Sequence, residues 1–162
     1  MKLAAAAALA ASLALTATGA VAQGTKLPAD TVDAFHAALK KKDTAGALSL
    51  LDRGLVVFEF GQVDATAETY GFQHLRFDID YAAATNWELT NRRVGGEGNE
   101  RWVLSTYHVT GKQGDGTPID QTMLETAILR RTGDLFRIVH LHWSTNGATY
   151  QTQGQRAPAK TP

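Results

Sequence analysis

Residues 135–146 read LFRIVHLHWSTN, a run of β-branched, leucine and aromatic side chains. The tight turn Thr132-Gly133-Asp134 comes directly before them, so the run is predicted to form one long β-strand. Side chains alternate between the two faces of a strand. A regular strand would place every second side chain on the same face: Phe136, Ile138, His140, His142 and Ser144. The opposite face would carry Trp143, which is expected to pack on the other side of the sheet or at a contact between two copies.

The first 22 residues are typical of a secretory signal peptide. Lys2 supplies a positive charge, residues 3–15 are an alanine- and leucine-rich run, and Ala20-Val21-Ala22 is a small-x-small cleavage site. The run is too short and too rich in alanine to resemble a membrane span. We therefore expect a periplasmic or secreted protein that begins at Gln23 and has no membrane association after cleavage.

Charge and cysteine content limit the partners and the chemistry. The chain has 16 basic and 16 acidic residues, and Lys2 is the only charge in residues 1–22, which leaves 15 basic against 16 acidic. Nucleic acid is therefore not expected as a partner, because it would find no excess of positive charge. The absence of cysteine excludes disulfides, thiol chemistry and thiolate metal sites.

The order of the predicted elements indicates the fold class. Hydrophobic spacing predicts helices over residues 28–42, 43–51 and 65–84. Strands are predicted over residues 55–60, 87–94, 101–110, 119–131 and 135–146. Helices followed by strands indicate an α+β fold, here a curved antiparallel sheet of about five strands packed on about three helices. Residues 147–162 are polar and read as a disordered tail, which leaves a single domain over residues 23–146.

Four groups of residues carry a resemblance to a known family. They are Val32-Asp33-Ala34-Phe35 with Ala38-Leu39 and Ala47-Leu48; Val57-Phe58-Glu59 with Gly61; His74-Leu75 with Asp78; and Glu125-Thr126 with Leu129, leading into residues 137–144. With them the chain resembles the nuclear transport factor 2-like superfamily, the cystatin-like α+β cone, and within it the SnoaL-like exported proteins. The resemblance implies an apolar pocket between sheet and helices, and a homodimer. Its members include isomerases, dehydratases, cyclases, hydrolases and non-catalytic association domains, so the fold alone does not decide the activity.

The candidate ligand-binding residues lie on the long helix and on two strands. Tyr70, His74 and Asp78 follow one another at intervals of four and so share a helix face. The resemblance places this helix and the last strand beside the pocket. The predicted ligand-binding set is Glu59, Tyr70, His74, Asp78, His140 and His142.

Three interpretations of this set stay open. Imidazole and carboxylate groups bind zinc, copper or iron, and His74, His140 and His142 are the metal candidates. His140 or His142 could instead act with Asp78 as a general acid or base. In the third interpretation these groups only shape a binding pocket through hydrogen bonds.

The sequence therefore favours an exported SnoaL-like protein that binds a small molecule in an apolar pocket lined by histidine and carboxylate groups. The alternatives are a cofactor-independent cyclase, isomerase or hydrolase, and a pocket that binds a divalent metal. No nucleotide cofactor is expected, because Gly95-Gly96-Glu97-Gly98 lies between two strands and does not open a helix.

Three further side chains receive predictions of their own. His36 is expected at the edge of the first helix, and His108 has no partner at diagnostic spacing although its strand could line the pocket. Glu125 shares a strand face with Met123 and Ala127. If Glu125 is buried, it must be paired with a cavity histidine or an arginine, because burial of an unpaired carboxylate costs on the order of several kcal/mol of folding free energy.

Overall fold

A computed structural model describes residues 25–146, so the predicted signal peptide and the predicted tail lie outside the described residues. Four helices and six strands follow one another: α1 (Pro28–Lys40), α2 (Thr44–Ser49), β1 (Leu51–Glu59), β2 (Gln62–Asp64), α3 (Ala67–Gln73), α4 (Leu75–Ala84), β3 (Thr85–Gly95), β4 (Glu100–Lys112), β5 (Pro118–Thr132) and β6 (Leu135–Thr145). Within this part of the chain, no helix is long and apolar enough to cross a membrane.

The first helix forms where the hydrophobic spacing predicts it. Pro28 occupies the first turn, where its missing N–H costs nothing. Val32, Phe35 and Leu39 are buried at helical spacing and attach α1 to the sheet. The next helix, α2, begins at Asp43, whose side chain accepts a hydrogen bond of 2.8 Å from the backbone N–H of Gly46.

The predicted long helix over residues 65–84 is two helices. Thr66 and Thr69 form a capping box that starts α3. His74 then interrupts the helix for one residue, between α3 and α4. Its ring is held by Asp64 of β2, with 2.5 Å between His74 Nδ1 and Asp64 Oδ2. No proline marks this break, which is why the sequence pattern reads as continuous.

The strands form one six-stranded sheet in the order β2-β1-β6-β5-β4-β3. The last four strands are an antiparallel meander, as predicted. The α+β cone with a curved, open sheet is confirmed. The sheet is not wholly antiparallel, because β1 pairs in parallel with β6. Asp52-Arg53-Gly54, which directly follow the predicted second helix, belong to β1.

The prediction that alternate residues from Phe136 to Ser144 share one face of the last strand is wrong, because β6 contains a bulge. Leu129 of β5 lies opposite Ile138, but the next residue, Ile128, lies opposite His140. Val139 is therefore an extra residue, and a one-residue insertion exchanges the two faces of a strand. Before the bulge, Phe136 and Ile138 face the core, and after it Leu141 and Trp143 do. His140, His142 and Ser144 lie on the other face.

The helices cover one face of the sheet and leave the other open within the described residues. Burial alternates along β5, where the inward residues are Gln121, Met123, Glu125, Ala127 and Leu129. This is the face predicted for Glu125. We call the opposite surface the open sheet face; it carries Phe58, Leu124, His140 and His142.

Candidate functional site

A cavity of about 360 Å³ lies between α1, α4, β3 and β4. Its size is in the range of pockets that hold small organic molecules. Its lining combines alanine, leucine and aromatic side chains with a few polar groups: Asp33, His36, Ala37, Leu39, Lys40, Ala82, Asn86, Trp87, Leu89 and Tyr107. The fold could bind a ligand in this cavity.

His36 and Glu125 form a hydrogen-bonded pair at the wall of this cavity. Nε2 of His36 lies 2.5 Å from Oε2 of Glu125. The Glu125 side chain is fully buried, whereas that of His36 is 16% exposed. α1 supplies the histidine and β5 the glutamate. The pair therefore also fastens the first helix to the interior of the sheet.

Two further donors complete the surroundings of Glu125. Trp143 lies opposite it on β6 and donates its indole N–H to Oε2 over 2.7 Å. The hydroxyl of Tyr107 on β4 donates to Oε1 over 3.4 Å. Burial alone would raise the pKa of Glu125. His36, its hydrogen bond, the Trp143 N–H and the nearby Arg92 outweigh burial and hold the pKa below its usual value.

Arg92 connects this network to Asp33, another residue that lines the cavity. Its Nη2 donates to the Tyr107 hydroxyl over 2.9 Å, and its Nη1 donates to Oδ1 of Asp33 over 2.7 Å. Burial raises the pKa of Tyr107 and the Glu125 carboxylate adds to this, while Ser105 and Arg92 offset only part of the shift. Tyr107 therefore stays a neutral hydroxyl that both accepts and donates.

Aromatic rings hold the His36 imidazole in place. The Tyr107 ring is stacked against it, with 5.2 Å between ring centroids. Trp87 meets it edge-on at 4.9 Å. These contacts leave the ring few orientations, so its nitrogens have defined directions.

Four of the predicted ligand-binding residues come together, but not at this cavity. Tyr70 donates to Asp78 over 2.6 Å, and burial followed by the nearby Asp78 carboxyl raises the pKa of Glu59. His74 contacts Asp64, a residue that was not predicted. This group lies between the β1–β2 hairpin and the helices α3 and α4.

The remaining predicted residues, His140 and His142, are placed outside both groups. Nδ1 of His140 lies 2.9 Å from the backbone oxygen of Val56, and its ring meets Phe58 edge-on. His142 is exposed on the open sheet face. Since the bulge turns both rings away from the core, neither contacts Asp78. Burial lowers the pKa of His140, and His142 adds to that effect.

The structure does not assemble the predicted metal ligands. Among residues 25–146, no group of three or more His, Asp or Glu side chains has an arrangement that could hold a metal ion. His74 lies with Asp64, whereas His140 and His142 lie on the open sheet face.

Sequence reasoning placed His36 at the helix edge, where its side chain is 16% exposed, but missed its contact with Glu125. The signal was present: His36 follows Val32 by four residues and precedes Leu39 by three, so it lies on the same helix face. His108 does not line the cavity; it lies on the open sheet face beside Asp120 and Glu88. Trp143, predicted for the opposite side of the sheet or a dimer contact, is 3% exposed in the core.

With the fold and cavity described, the family follows. The SnoaL-like domain model matches residues 29–147, and the chain belongs to this family, within the nuclear transport factor 2-like fold. No curated protein sequence matches significantly.

Solved structures support the same fold. A provisionally assigned ketosteroid isomerase from Shewanella frigidimarina is 26% identical with a TM-score of 0.67, covering 71% of this chain and 92% of its own. A provisionally assigned dehydratase of the NTF2-like family from Streptomyces avermitilis is 20% identical, with a TM-score of 0.60 and coverage of 74% and 94%. The association domain of C. elegans CaMKII is 18% identical, with a TM-score of 0.59 and coverage of 72% and 91%.

The buried network predicts a large stability effect at Glu125. Glu125→Ala removes the acceptor and leaves the Trp143 and Tyr107 donors unpaired, so we expect the free energy of unfolding to fall by about 3–5 kcal/mol. Glu125→Gln keeps one acceptor oxygen and should cost about 1–3 kcal/mol. Urea denaturation of both variants measures the difference.

The control for this experiment is Glu100→Gln, which breaks an exposed ion pair with Arg130 of 3.3 Å and should change stability by less than about 1 kcal/mol. Because the folded pKa of Glu125 is lowered, its contribution is present above the unfolded value, about 4.3, and is lost as the pH falls through the folded value. Equal costs for the Glu125 and Glu100 variants would contradict the assignment.

Proposed function

We propose that this SnoaL-like protein binds a small organic molecule in the cavity and that His36, held by Glu125, moves a proton on that molecule. The observation that carries the proposal is the 2.5 Å contact between His36 and a fully buried carboxylate at the cavity wall. The names of two similar structures, an isomerase and a dehydratase, agree with proton-transfer chemistry in this fold.

Glu125 determines which nitrogen of His36 carries the proton. A carboxylate only accepts hydrogen bonds, so Nε2–H donates to Glu125 and neutral His36 keeps its lone pair on Nδ1. The described side chains give Nδ1 no hydrogen-bond partner. An imidazole oriented by a carboxylate in this way serves as a general base in many enzymes.

The lining of the cavity favours a mainly apolar substrate with a polar group at one end. Ala37, Leu39 and Trp87 supply apolar contacts, and Asp33 and Lys40 bring charge to the lining. His36 would take a proton from a carbon beside a carbonyl group and return it to a second carbon. The result is an isomerisation with no net oxidation, and it needs neither a nucleotide nor a metal ion.

Substitution of His36 tests this function. Isomerisation of a β,γ-unsaturated ketone is followed by the ultraviolet absorbance of the conjugated product, with a ketosteroid and a cyclohexenone as the two probes. His36→Gln should lower kcat/KM by about 10²–10⁴-fold, because a general base typically contributes that factor. His108→Gln is the matched control, since His108 also pairs with a carboxylate but lies outside the cavity. Full activity of His36→Gln, or no turnover of either probe by the wild type, would count against the proposal.

We also propose that two copies associate through the open sheet face. Leu124 and Phe58 are 53% and 43% exposed there. The charged groups of this face are already paired within one chain, Arg130 with Glu100 and Asp120 with His108. A second copy related by a two-fold axis would cover the two exposed apolar side chains. The fold is shared with an association domain, which agrees with this use of the sheet.

Light scattering coupled to size exclusion tests the dimer. The wild type is expected to have twice the mass of one chain, and Leu124→Asp to have the mass of one, because a carboxylate would be buried in the contact. Phe72→Asp is the control, since Phe72 is 91% exposed on α3, away from the sheet. A wild type of single-chain mass at submillimolar concentration would refute the dimer.

Finally, we propose that the protein acts outside the cytoplasm, supported by the leader pattern in residues 1–22. Expressed in a Gram-negative host, the full chain should be recovered from the periplasm with Gln23 as its first residue by mass spectrometry. Replacing Ala20 and Ala22 by leucine should block cleavage. An intact Met1 terminus on wild-type protein in the cytosol would contradict export.

A further inference from the structure

Three polar side chains that line the cavity follow one another along one face of α1. His36 comes three residues after Asp33, and Lys40 comes four residues after His36. Each residue advances an α-helix by about 1.5 Å, so Asp33 and Lys40 are about 10 Å apart along the axis. The cavity therefore has an Asp33 end and a Lys40 end, and His36 lies between them.

Strand β3 passes along the same cavity and contacts α1 at both of these ends. At the Asp33 end, Nη1 of Arg92 donates to Oδ1 of Asp33 over 2.7 Å. At the other end, Nζ of Lys40 donates to the backbone oxygen of Thr85, the first residue of β3. These two contacts hold both ends of α1 against the strand that forms the facing wall.

The charges at the Asp33 end compensate each other. Asp33 forms an ion pair with Arg92. The same guanidinium donates from Nε to Ser105 over 3.2 Å and from Nη2 to the Tyr107 hydroxyl over 2.9 Å. A charged ligand group could bind there only by displacing one of these contacts.

The Lys40 end is different, because its charge has no counterion. Lys40 is the one lysine or arginine among the described residues that line the cavity. It forms no ion pair within residues 25–146, and Glu125 is engaged with His36 instead. An ammonium group has three N–H donors, and the contact with Thr85 uses one of them. Two donors are therefore available to a ligand.

The two lysines that follow Lys40 do not share this position. Lys41 and Lys42 are absent from the lining of the cavity, and Lys42 lies 3.8 Å from Asp80 on the surface. Positive charge at the end of a helix is favourable in itself, which accounts for three consecutive lysines at this point. Only the first of them also borders the cavity.

The number of donors indicates the chemical class of the ligand group. Two N–H donors and one positive charge match the two oxygens and single charge of a carboxylate. A phosphate monoester has a charge of about −1.5 to −2 at pH 7, so Lys40 alone would leave part of that charge uncompensated. The carboxylate is therefore the better match.

We propose that the substrate is the anion of an organic acid, with its carboxylate bound by Lys40 and its reacting carbon beside His36. The role of Lys40 rests on the proposed function of the same cavity and adds the class of substrate. Four residues of helix separate the two side chains, which is about 6 Å along the axis. A short chain such as propanoate spans a comparable distance. Lys40 binds and positions the substrate, and the proton transfer stays with His36.

Two ligands that differ in a single group test this role. The first is a conjugated cyclohexenone that carries a propanoate chain on its double bond, and the second is the primary amide of that acid. Both are products of the proposed isomerisation, so calorimetric titration of the mature protein measures Kd without turnover. We expect the acid to bind about tenfold or more tightly than the amide, because hydrogen bonds between charged groups are stronger than neutral ones.

Lys40→Met should remove this preference. The Kd of the acid should rise about tenfold, while that of the amide should change by less than about twofold because the apolar part of the cavity is unaltered. Lys40→Arg keeps a cation and should retain most of the preference. Lys41→Met is the matched control, since it removes the same charge one residue further along and outside the cavity.

Turnover of the corresponding β,γ-unsaturated acid separates the two side chains. Lys40→Met should raise KM about tenfold and change kcat by less than about threefold, because the lost contact is made equally in the bound substrate and in the transition state. His36→Gln should lower kcat instead. A fall in kcat with unchanged KM in Lys40→Met would contradict a binding role.

Two results would overturn the proposal: equal affinity of the wild type for acid and amide, or a preference for the acid that survives in Lys40→Met. If Lys40→Met does not fold, the wild type still decides, because added salt should weaken binding of the acid and leave the amide unaffected. Turnover of both ligands without a preference for the acid would refute the role of Lys40 and leave the function of His36 standing. Lys40-dependent binding without turnover would support the carboxylate site and count against the proposed reaction.

Discussion

The burial of one carboxylate organises the inner face of this sheet. The Glu125 side chain is fully buried. Moving a charged group out of water costs on the order of several kcal/mol of folding free energy unless hydrogen-bond donors replace the lost hydration. His36, Trp143 and Tyr107 are those donors. They come from α1, β6 and β4, so satisfying a single side chain also sets where the first helix lies over the sheet. The cavity exists beside this pair because α1 is held there.

The two polar groups of the fold shift the pKa of their glutamates, Glu125 and Glu59, in opposite directions. Around Glu125, N–H and O–H donors stabilise the charged form and lower its pKa. Around Glu59 the neighbours are other carboxyl groups, so the neutral form is favoured and the pKa rises. The first group thus favours a negative charge beside a histidine that lines the cavity. Burial raises the pKa of both glutamates, and the neighbouring groups decide the final direction.

Local patterns predicted much of the fold and part of the two polar groups. Alternation along β5 placed Glu125 on one face with Met123 and Ala127, and the cost of an unpaired buried charge required a histidine or arginine partner if that face was buried. The four-residue spacing of Tyr70, His74 and Asp78 correctly grouped them despite the break at His74. The packing of α1 on the sheet determines that His36 is the histidine that contacts Glu125, a residue 89 positions further along the chain. Local patterns carry no information on such a distant contact.

The bulge at Val139 is the feature that local patterns could not predict, because Val139 is as suitable for a strand as its neighbours. It arises where β6 must pair with β5 on one side and in parallel with β1 on the other, and the pairing on both sides shifts register there. Without it, His140 and His142 would face the core and Trp143 would not reach Glu125. The extra residue therefore determines both surfaces: it brings the indole to the buried carboxylate and places the two imidazoles on the open sheet face beside Phe58.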